Sequence, residues 1–272
     1  MPATPDLLLM AALLAGIGAF AGIIAGLLGV GGGIILVPAF FYAFTHLGYG
    51  SDQLMQVCLG TSLATIIVTS LRSLDAHNRK GAVDWAILRG WAPGIAVGAI
   101  AAVFVVAALR TAALQAIFGA LALVVAAYLG LGGEKWRLGA AMPAGAARAA
   151  LAPGVGFLSV LMGIGGGSFG VPLMSLYSVP IHRAVATAAG FGVAIALPSI
   201  LGFLLMDIAA PPPMTVGAVN LPAFAIVIAM TLLTAPWGVR LAHATDPKPL
   251  KRFFALFLAI VALNMLRKAA GY

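Results

Sequence analysis

The segment GVGGGIILVP at residues 29–38 returns 134 positions later as GIGGGSFGVP at residues 163–172. Each copy lies inside a long uncharged run. The first run, from Leu7 to Thr45, has 39 residues. As one straight helix it would measure about 58 Å, nearly twice the roughly 30 Å of a bilayer core. It has to break, and the triplet Gly31, Gly32 and Gly33 is the expected place, because glycine is the weakest helix former after proline and adopts turn dihedrals freely. The run from Ala149 to Ile181 is expected to break in the same way at Gly165, Gly166 and Gly167.

The surrounding composition says what these runs are. Of the residues, 62% are hydrophobic and 8% charged, with a mean hydropathy of +1.11, against about a quarter charged in an ordinary soluble domain. Further uncharged runs cover 53–71, 90–109, 111–133, 184–206, 208–239 and 253–266. Most reach or exceed the roughly 20 residues of a membrane-crossing helix, and they lack the short in/out alternation of barrel strands. The chain reads as an all-α polytopic membrane protein with no room for a soluble domain. The opening MPATPD carries no Lys or Arg, so the first run is expected to be a mature helix and not a signal peptide. Cys58 is the single cysteine, which leaves no internal disulfide and no cysteine-based metal cluster. A net charge of +8 is what loops on the cytoplasmic side of a membrane supply, so a lipid bilayer and not nucleic acid is the expected partner.

The two glycine segments belong to a larger duplication. Residues 22–38 and 156–172 share eight of seventeen identities, GAVDW at 81–85 faces GAVNL at 217–221, and Leu114, Phe118, Val125 and Ala126 face Leu250, Phe254, Val261 and Ala262. This divides the chain into repeats at 1–136 and 137–272. The loop at 72–80 carries Arg72, Arg79 and Lys80, while its counterpart near 207–220 has no Lys or Arg. The connection near Arg110 has one basic residue, while its counterpart has Arg240, Lys248, Lys251 and Arg252. The basic side thus switches between halves, and alternation through five segments per repeat puts twelve of the fifteen basic residues on one face. That arrangement predicts two inverted-topology repeats in the inner (cytoplasmic) membrane, with both termini outside.

No charge lies within a dozen residues of either triplet. The breaks are therefore expected to be tips of helical hairpins near the membrane centre, where irregular backbone survives only if protein covers it or it lines a polar cavity. The helix restarting after each triplet would aim free N–H groups and a partial positive charge at that cavity, a setting for an anion. Ser168 adds a hydroxyl donor in the second half, and Thr61 and Ser62 are further candidates among the hydroxyls of 61–70. Gly18, Gly22 and Gly26, and Gly90, Gly94 and Gly98, are small-xxx-small spacings expected to serve helix packing. Asn264 and Gln115 read as interhelical glue, and Trp85, Trp91, Trp136 and Trp237 as interfacial anchors. All seven acids, Asp6, Asp52, Asp75, Asp84, Glu134, Asp207 and Asp246, fall in or beside loops, so a buried carboxylate relay is not expected. GGSFG at 166–170 matches the nucleophile-elbow pattern, but no strand-to-helix turn or His and acid partners accompany it. An enzyme, a cofactor and a metal site are accordingly not expected.

The twin GxGGGxxxxVP segments, the GTS at 60–62 and the GAVDW box together resemble the TauE/SafE sulfite exporter family of membrane anion transporters, over essentially the whole chain. The resemblance implies a secondary transporter exporting sulfite or an organosulfonate such as sulfoacetate, by alternating access. Where the second half would repeat GTS it has Ala186, Thr187 and Ala188, so Thr187 alone supplies a hydroxyl there. The alternatives are import, another small anion, or a membrane scaffold whose glycines only pack.

Overall fold

The computed structural model describes residues 4–28, 32–131, 136–244 and 247–271. Among them the chain forms ten helices: α1 (Thr4–Leu28), α2 (Gly33–His46), α3 (Leu54–Arg79), α4 (Trp85–Ala108), α5 (Thr111–Leu131), α6 (Gly145–Leu161), α7 (Gly167–Leu176), α8 (Ile181–Leu204), α9 (Leu221–Ala244) and α10 (Pro247–Ala269). A small antiparallel hairpin of β1 (Thr215–Val216) and β2 (Val219–Asn220) precedes α9. Six helices are long and apolar enough to cross a membrane. The protein is an all-α polytopic membrane protein.

Both long runs break where the triplets stand, α1 stopping at Leu28 before α2, and α6 at Leu161 before α7. In the second copy the stop is made ahead of the triplet. Gly163 takes φ +60°, and the N–H groups of Gly163 and Ile164 donate to the carbonyls of Val160 and Ser159, both at 2.9 Å. Those paired bonds close a glycine-terminated helix end, where a left-handed residue is needed. Each restart is anchored on a glycine carbonyl: Leu36 N–H donates to Gly32 at 3.1 Å and Gly170 N–H to Gly166 at 2.8 Å. Pro38 and Pro172 hold the same register in the two short helices, and each withdraws the N–H that would reach the carbonyl of Ile34 or Ser168. The GAVDW and GAVNL boxes are helix starts. Asp84 accepts from Ala86 N–H and Ile87 N–H, both at 3.1 Å, and Asn220 Oδ1 accepts from Ala223 N–H at 3.0 Å, each satisfying donors of a first turn.

Corresponding helices of the two halves are interleaved. α1 lies along α9, with Gly18 against Val227 and Met230, Gly22 against Thr231 and Thr234, and Gly238 against Ile23; residue numbers rise together, so the two run parallel. α6 lies along α4 in the same sense, with Gly94 against Ala152, Gly98 against Pro153 and Gly156 against Ile95. α3 and α8 run antiparallel, pairing Gly60 with Phe203 and Gly192 with Ser70. α5 and α10 are also antiparallel, with Gly119 against Ala262 and Gly130 against Ala255. The glycine spacings close these seams because only a missing side chain lets two backbones approach so far.

Large aromatics fill the centre, among them Phe40, Phe44, Phe118, Phe191 and Phe203, while Phe104, Leu131 and Leu201 point outward, as lipid-facing residues do. Two expectations need correction. Trp91 is no anchor: it is 2% exposed and stacks on Phe191 with ring centroids 6.4 Å apart, because α4 turns this position onto α8. Asn264 is exposed on the outer side of α10 and bonds no other helix among the described residues, and Gln115 is buried in α5 with its Nε2 unpartnered among them.

Candidate functional site: the meeting of the two glycine turns

The two turns come together halfway along α3. A methyl group added to Gly33 would stand 2.7 Å from the carbonyl oxygen of Gly163 and 3.0 Å from Ile164 Cα, so the start of α2 is in backbone contact with the second turn. Ser62 Oγ donates to that same Gly163 carbonyl at 2.7 Å. Ile66 lies under both turns, its methyls 3.0 Å and 3.2 Å from where side chains on Gly33 and Gly165 would begin. Gly166 abuts the middle of α8, where a methyl would collide with the Ala188 carbonyl and Phe191 Cβ. Gly167 opens α7 and is partly buried. Among the described residues Gly32 meets only ordinary contacts, with Ala21 3.6 Å away, and Gly31 lies outside them.

The hydroxyls divide by what they bond. Thr61 and Thr187 do matching work across the repeats. Thr61 Oγ1 accepts from Asn220 N–H at 2.9 Å, and Thr187 Oγ1 accepts from Asp84 N–H at 2.9 Å. Each threonine thus holds the helix-start box of the opposite half, at 0% exposure, and satisfies a backbone donor that burial would otherwise leave bare. Ser62 is committed to Gly163. Thr65 and Thr69 bond back to the carbonyls of Ser62 and Thr65, at 2.7 Å and 3.1 Å, as hydroxyls in membrane helices commonly do.

Ser168 differs from all of these. It is 3% exposed, and its Oγ has no hydrogen-bond partner among the described residues. It occupies the first turn of α7, whose internal bonding begins with Gly170 N–H to Gly166. The N–H groups of Gly167, Ser168 and Phe169 precede that bond and belong to the unpaired start of the helix. A buried hydroxyl without a partner beside such donors is a concentration of hydrogen-bond donors and partial positive charge.

Among the described residues, carboxylates stay away from this point. Asp52, Asp75 and Asp207 are exposed, and Asp84 caps α4 and meets Arg183 at 3.5 Å. Among the described residues no group of three His, Cys, Asp or Glu side chains is placed to hold a metal. Two cavities, of about 350 and 220 Å³, are lined by apolar residues such as Leu13, Ile17 and Phe20 or Ile67, Leu204 and Phe224, and neither is bounded by the triplets.

The geometry is that of a helix-break site, and comparison with known proteins gives the family. A family model described as "Sulfite exporter TauE/SafE" matches residues 14–265. The chain belongs to the TauE/SafE family. A probable membrane transporter protein of Haemophilus influenzae is 30% identical over 254 residues, covering 93% of this chain and 96% of the relative. A second, from Methanocaldococcus jannaschii, is 26% identical over 277 residues, covering 96% and 97%. No solved structure matches the chain. As a TauE/SafE member the protein is a multi-pass membrane transporter.

Sequence reasoning passed over one residue here, Gly163, and ranked another, Ser70, below Thr61 and Ser62. Gly163 terminates α6 and offers its carbonyl to Ser62; its signal is the leading glycine of GxGGG, standing where a helix end needs a positive φ. Ser70 borders Gly165 and Gly192, and in the sequence it is one hydroxyl among several on α3.

Proposed function

We propose that this TauE/SafE transporter moves a small sulfur-containing anion, sulfite or an organosulfonate such as sulfoacetate, outward across the cytoplasmic membrane, and that the anion binds at the second glycine turn. The observation that carries the reading is the unpartnered, buried Ser168 hydroxyl in the first turn of α7. Three tetrahedrally arranged oxygens of a sulfonate suit a set of converging N–H and O–H donors, and a helix start favours negative charge. Gly165 and Gly167 let the ligand reach the backbone, Gly166 seats the turn against α8, and Gly32, Gly33, Ser62, Thr61 and Thr187 build the frame around it.

The repeats 1–136 and 137–272 are read as inverted in the membrane. In support, α3 and α8 hold corresponding places yet run antiparallel, as do α5 and α10; a pseudo-twofold axis that reverses its own helices lies across them and not along them. The packing of α1 on α9 and of α6 on α4 supports alternating access by bodies other than one intact repeat rocking on the other. The moving bodies combine helices of both halves. With no carboxylate at the turns among the described residues, outward movement needs no coupled proton: expelling one negative charge from a cell negative inside gains about 2.3 kcal/mol per 100 mV.

Anion flux into proteoliposomes tests this, across sulfite, sulfoacetate, taurine, sulfate and acetate, with an imposed potential and varied pH. Saturable, potential-driven flux of sulfur anions is expected. Flux of a different anion would move the substrate assignment, proton-dependent flux would end the uniport reading, and silence across the panel in folded protein would remove the sulfonate assignment.

A further inference from the structure

On either side of the meeting point, α3 and α8 carry corresponding residues in opposite directions, at the offset of 126 that pairs Thr61 with Thr187. Toward the end where α3 stops, α3 presents Thr69, Ser70, Ser73 and His77, all partly exposed. Toward the end where α8 stops, α8 presents Ile195, Ala196, Ser199 and Phe203, all 0% exposed. Pseudo-equivalent positions at the same distance from the turns thus differ both in polarity and in access.

The cause is what covers them. At the end of α8 the connection 205–220 folds back over the helix. Ala218 N–H donates to the Phe203 carbonyl at 2.7 Å, Thr61 takes Asn220 N–H, and Gln53 accepts from Ala209 N–H at 2.8 Å. At the end of α3 the chain turns within residues 80–84 and starts α4; Asp84 N–H meets Thr187 there as Asn220 meets Thr61, but among the described residues no segment as long as 205–220 is laid across the helix. Ser70 marks the inner limit of this open side. Its Oγ is the atom that a methyl on Gly192 would strike, and it lies 3.9 Å from where one on Gly165 would be. Unlike Thr65, Thr69 and Ser199, it makes no hydrogen bond back to its own helix among the described residues. The open end also gathers cations: Arg72, Arg79 and Lys80 close α3, Arg148 reaches Gly90 near the start of α4, and Arg183 stands beside Asp84. The Ser199 hydroxyl, by contrast, is turned onto the Ile195 carbonyl at 2.7 Å.

We propose that the seam between α3 and the second glycine turn, with Ser70 at its inner limit and Ser73 beyond, is the route by which a small anion reaches the turn from the basic end, while the 205–220 connection shuts the opposite end. The proposal rests on the reading of the second turn as the anion site. A basic mouth concentrates anions ahead of a narrow path, and Ser70 is then the first hydroxyl within reach of the turn.

Thiol labelling separates the two ends. Cys58 is fully buried, so the native chain serves as the unlabelled background. S70C and S73C are compared with A196C and S199C, their counterparts, using 2-sulfonatoethyl methanethiosulfonate, a membrane-impermeant reagent that is itself a small organosulfonate. S70C and S73C should react about tenfold or more faster than A196C and S199C, the gain a cleft of opposite charge brings to an anion, and only from the face that carries Arg72. Equal rates at the two ends, or faster reaction at A196C and S199C, would overturn the route. Serine and cysteine are nearly isosteric, and S73C repeats the test farther from the packed turn should S70C not fold. Adding sulfoacetate should slow S70C labelling; if it does not while S70C remains the faster site, the route stands and the sulfonate assignment falls.

Discussion

The two glycine hairpins come from one duplicated sequence and make opposite use of it. In the second, the Oγ atoms of Ser159, Ser168 and Ser175 are buried without hydrogen-bond partners among the described residues. At the matching places in the first stand Ala25, Ile34 and Phe41, and Ile34 is 1% exposed in the apolar core. Gly166 is pressed onto the backbone of α8, whereas Gly32 has ordinary clearance. The duplication supplies a symmetric frame, visible in the paired threonine contacts and the antiparallel α3 and α8. Departures from it place an unpartnered hydroxyl at the restart of the second hairpin, whereas the unpartnered hydroxyls of the first, Tyr42 Oη and Thr45 Oγ1, lie at the far end of α2.

The largest effects should separate the glycines. G166A drives a methyl into the Ala188 carbonyl and should cost about 1–3 kcal/mol by overpacking, with loss of transport. G32A, with open contacts, should stay below about 1 kcal/mol. Thermal unfolding in detergent measures both, and equal losses would erase the asymmetry between turns. Next come the two threonines. T61V strands the buried Asn220 N–H and should cost about 1–3 kcal/mol; T187V strands the less buried Asp84 N–H and should cost less. A reversal of that order, in the same unfolding assay, would mean that the two contacts are not equivalent partners in one frame. The smallest effect on stability belongs to S168A. It removes a hydroxyl without a hydrogen-bond partner among the described residues, so unfolding should shift by less than about 0.5 kcal/mol, while anion affinity falls about tenfold for one lost hydrogen bond. I34S, placing a hydroxyl at the matching position of the first hairpin, should not raise affinity.

Much of the fold was readable because it rests on composition and length. An uncharged run nearly twice as long as a bilayer is thick has to break, and glycine is where it breaks; the breaks before Gly33 and Gly167 follow from that alone. The contacts at Gly18, Gly22, Gly94 and Gly98 likewise follow from spacing. What spacing does not carry is the identity of the partner. Gly22 could have backed on any helix, and only the folded chain shows it on α9, in the other half. The same limit explains the site. A hydroxyl at Thr61 reads alike whether it faces a ligand or the Asn220 N–H, and Trp91 reads as an anchor until α4 is rotated onto Phe191. Gly163 was overshadowed by the triplet after it, although it is the residue whose backbone ends α6.

The central claim is that the second turn binds the anion through Ser168, and ligand-dependent thermal stability tests it most directly. A ligand that binds only the folded chain raises stability in proportion to the logarithm of its concentration once above its dissociation constant. The unfolding temperature of the wild-type protein should rise with sulfoacetate or sulfite, S168A should need about tenfold more anion for the same rise, and I34S should follow the wild type. An identical response of wild type and S168A to a sulfur anion, or a rise lost in I34S and kept in S168A, would contradict the account.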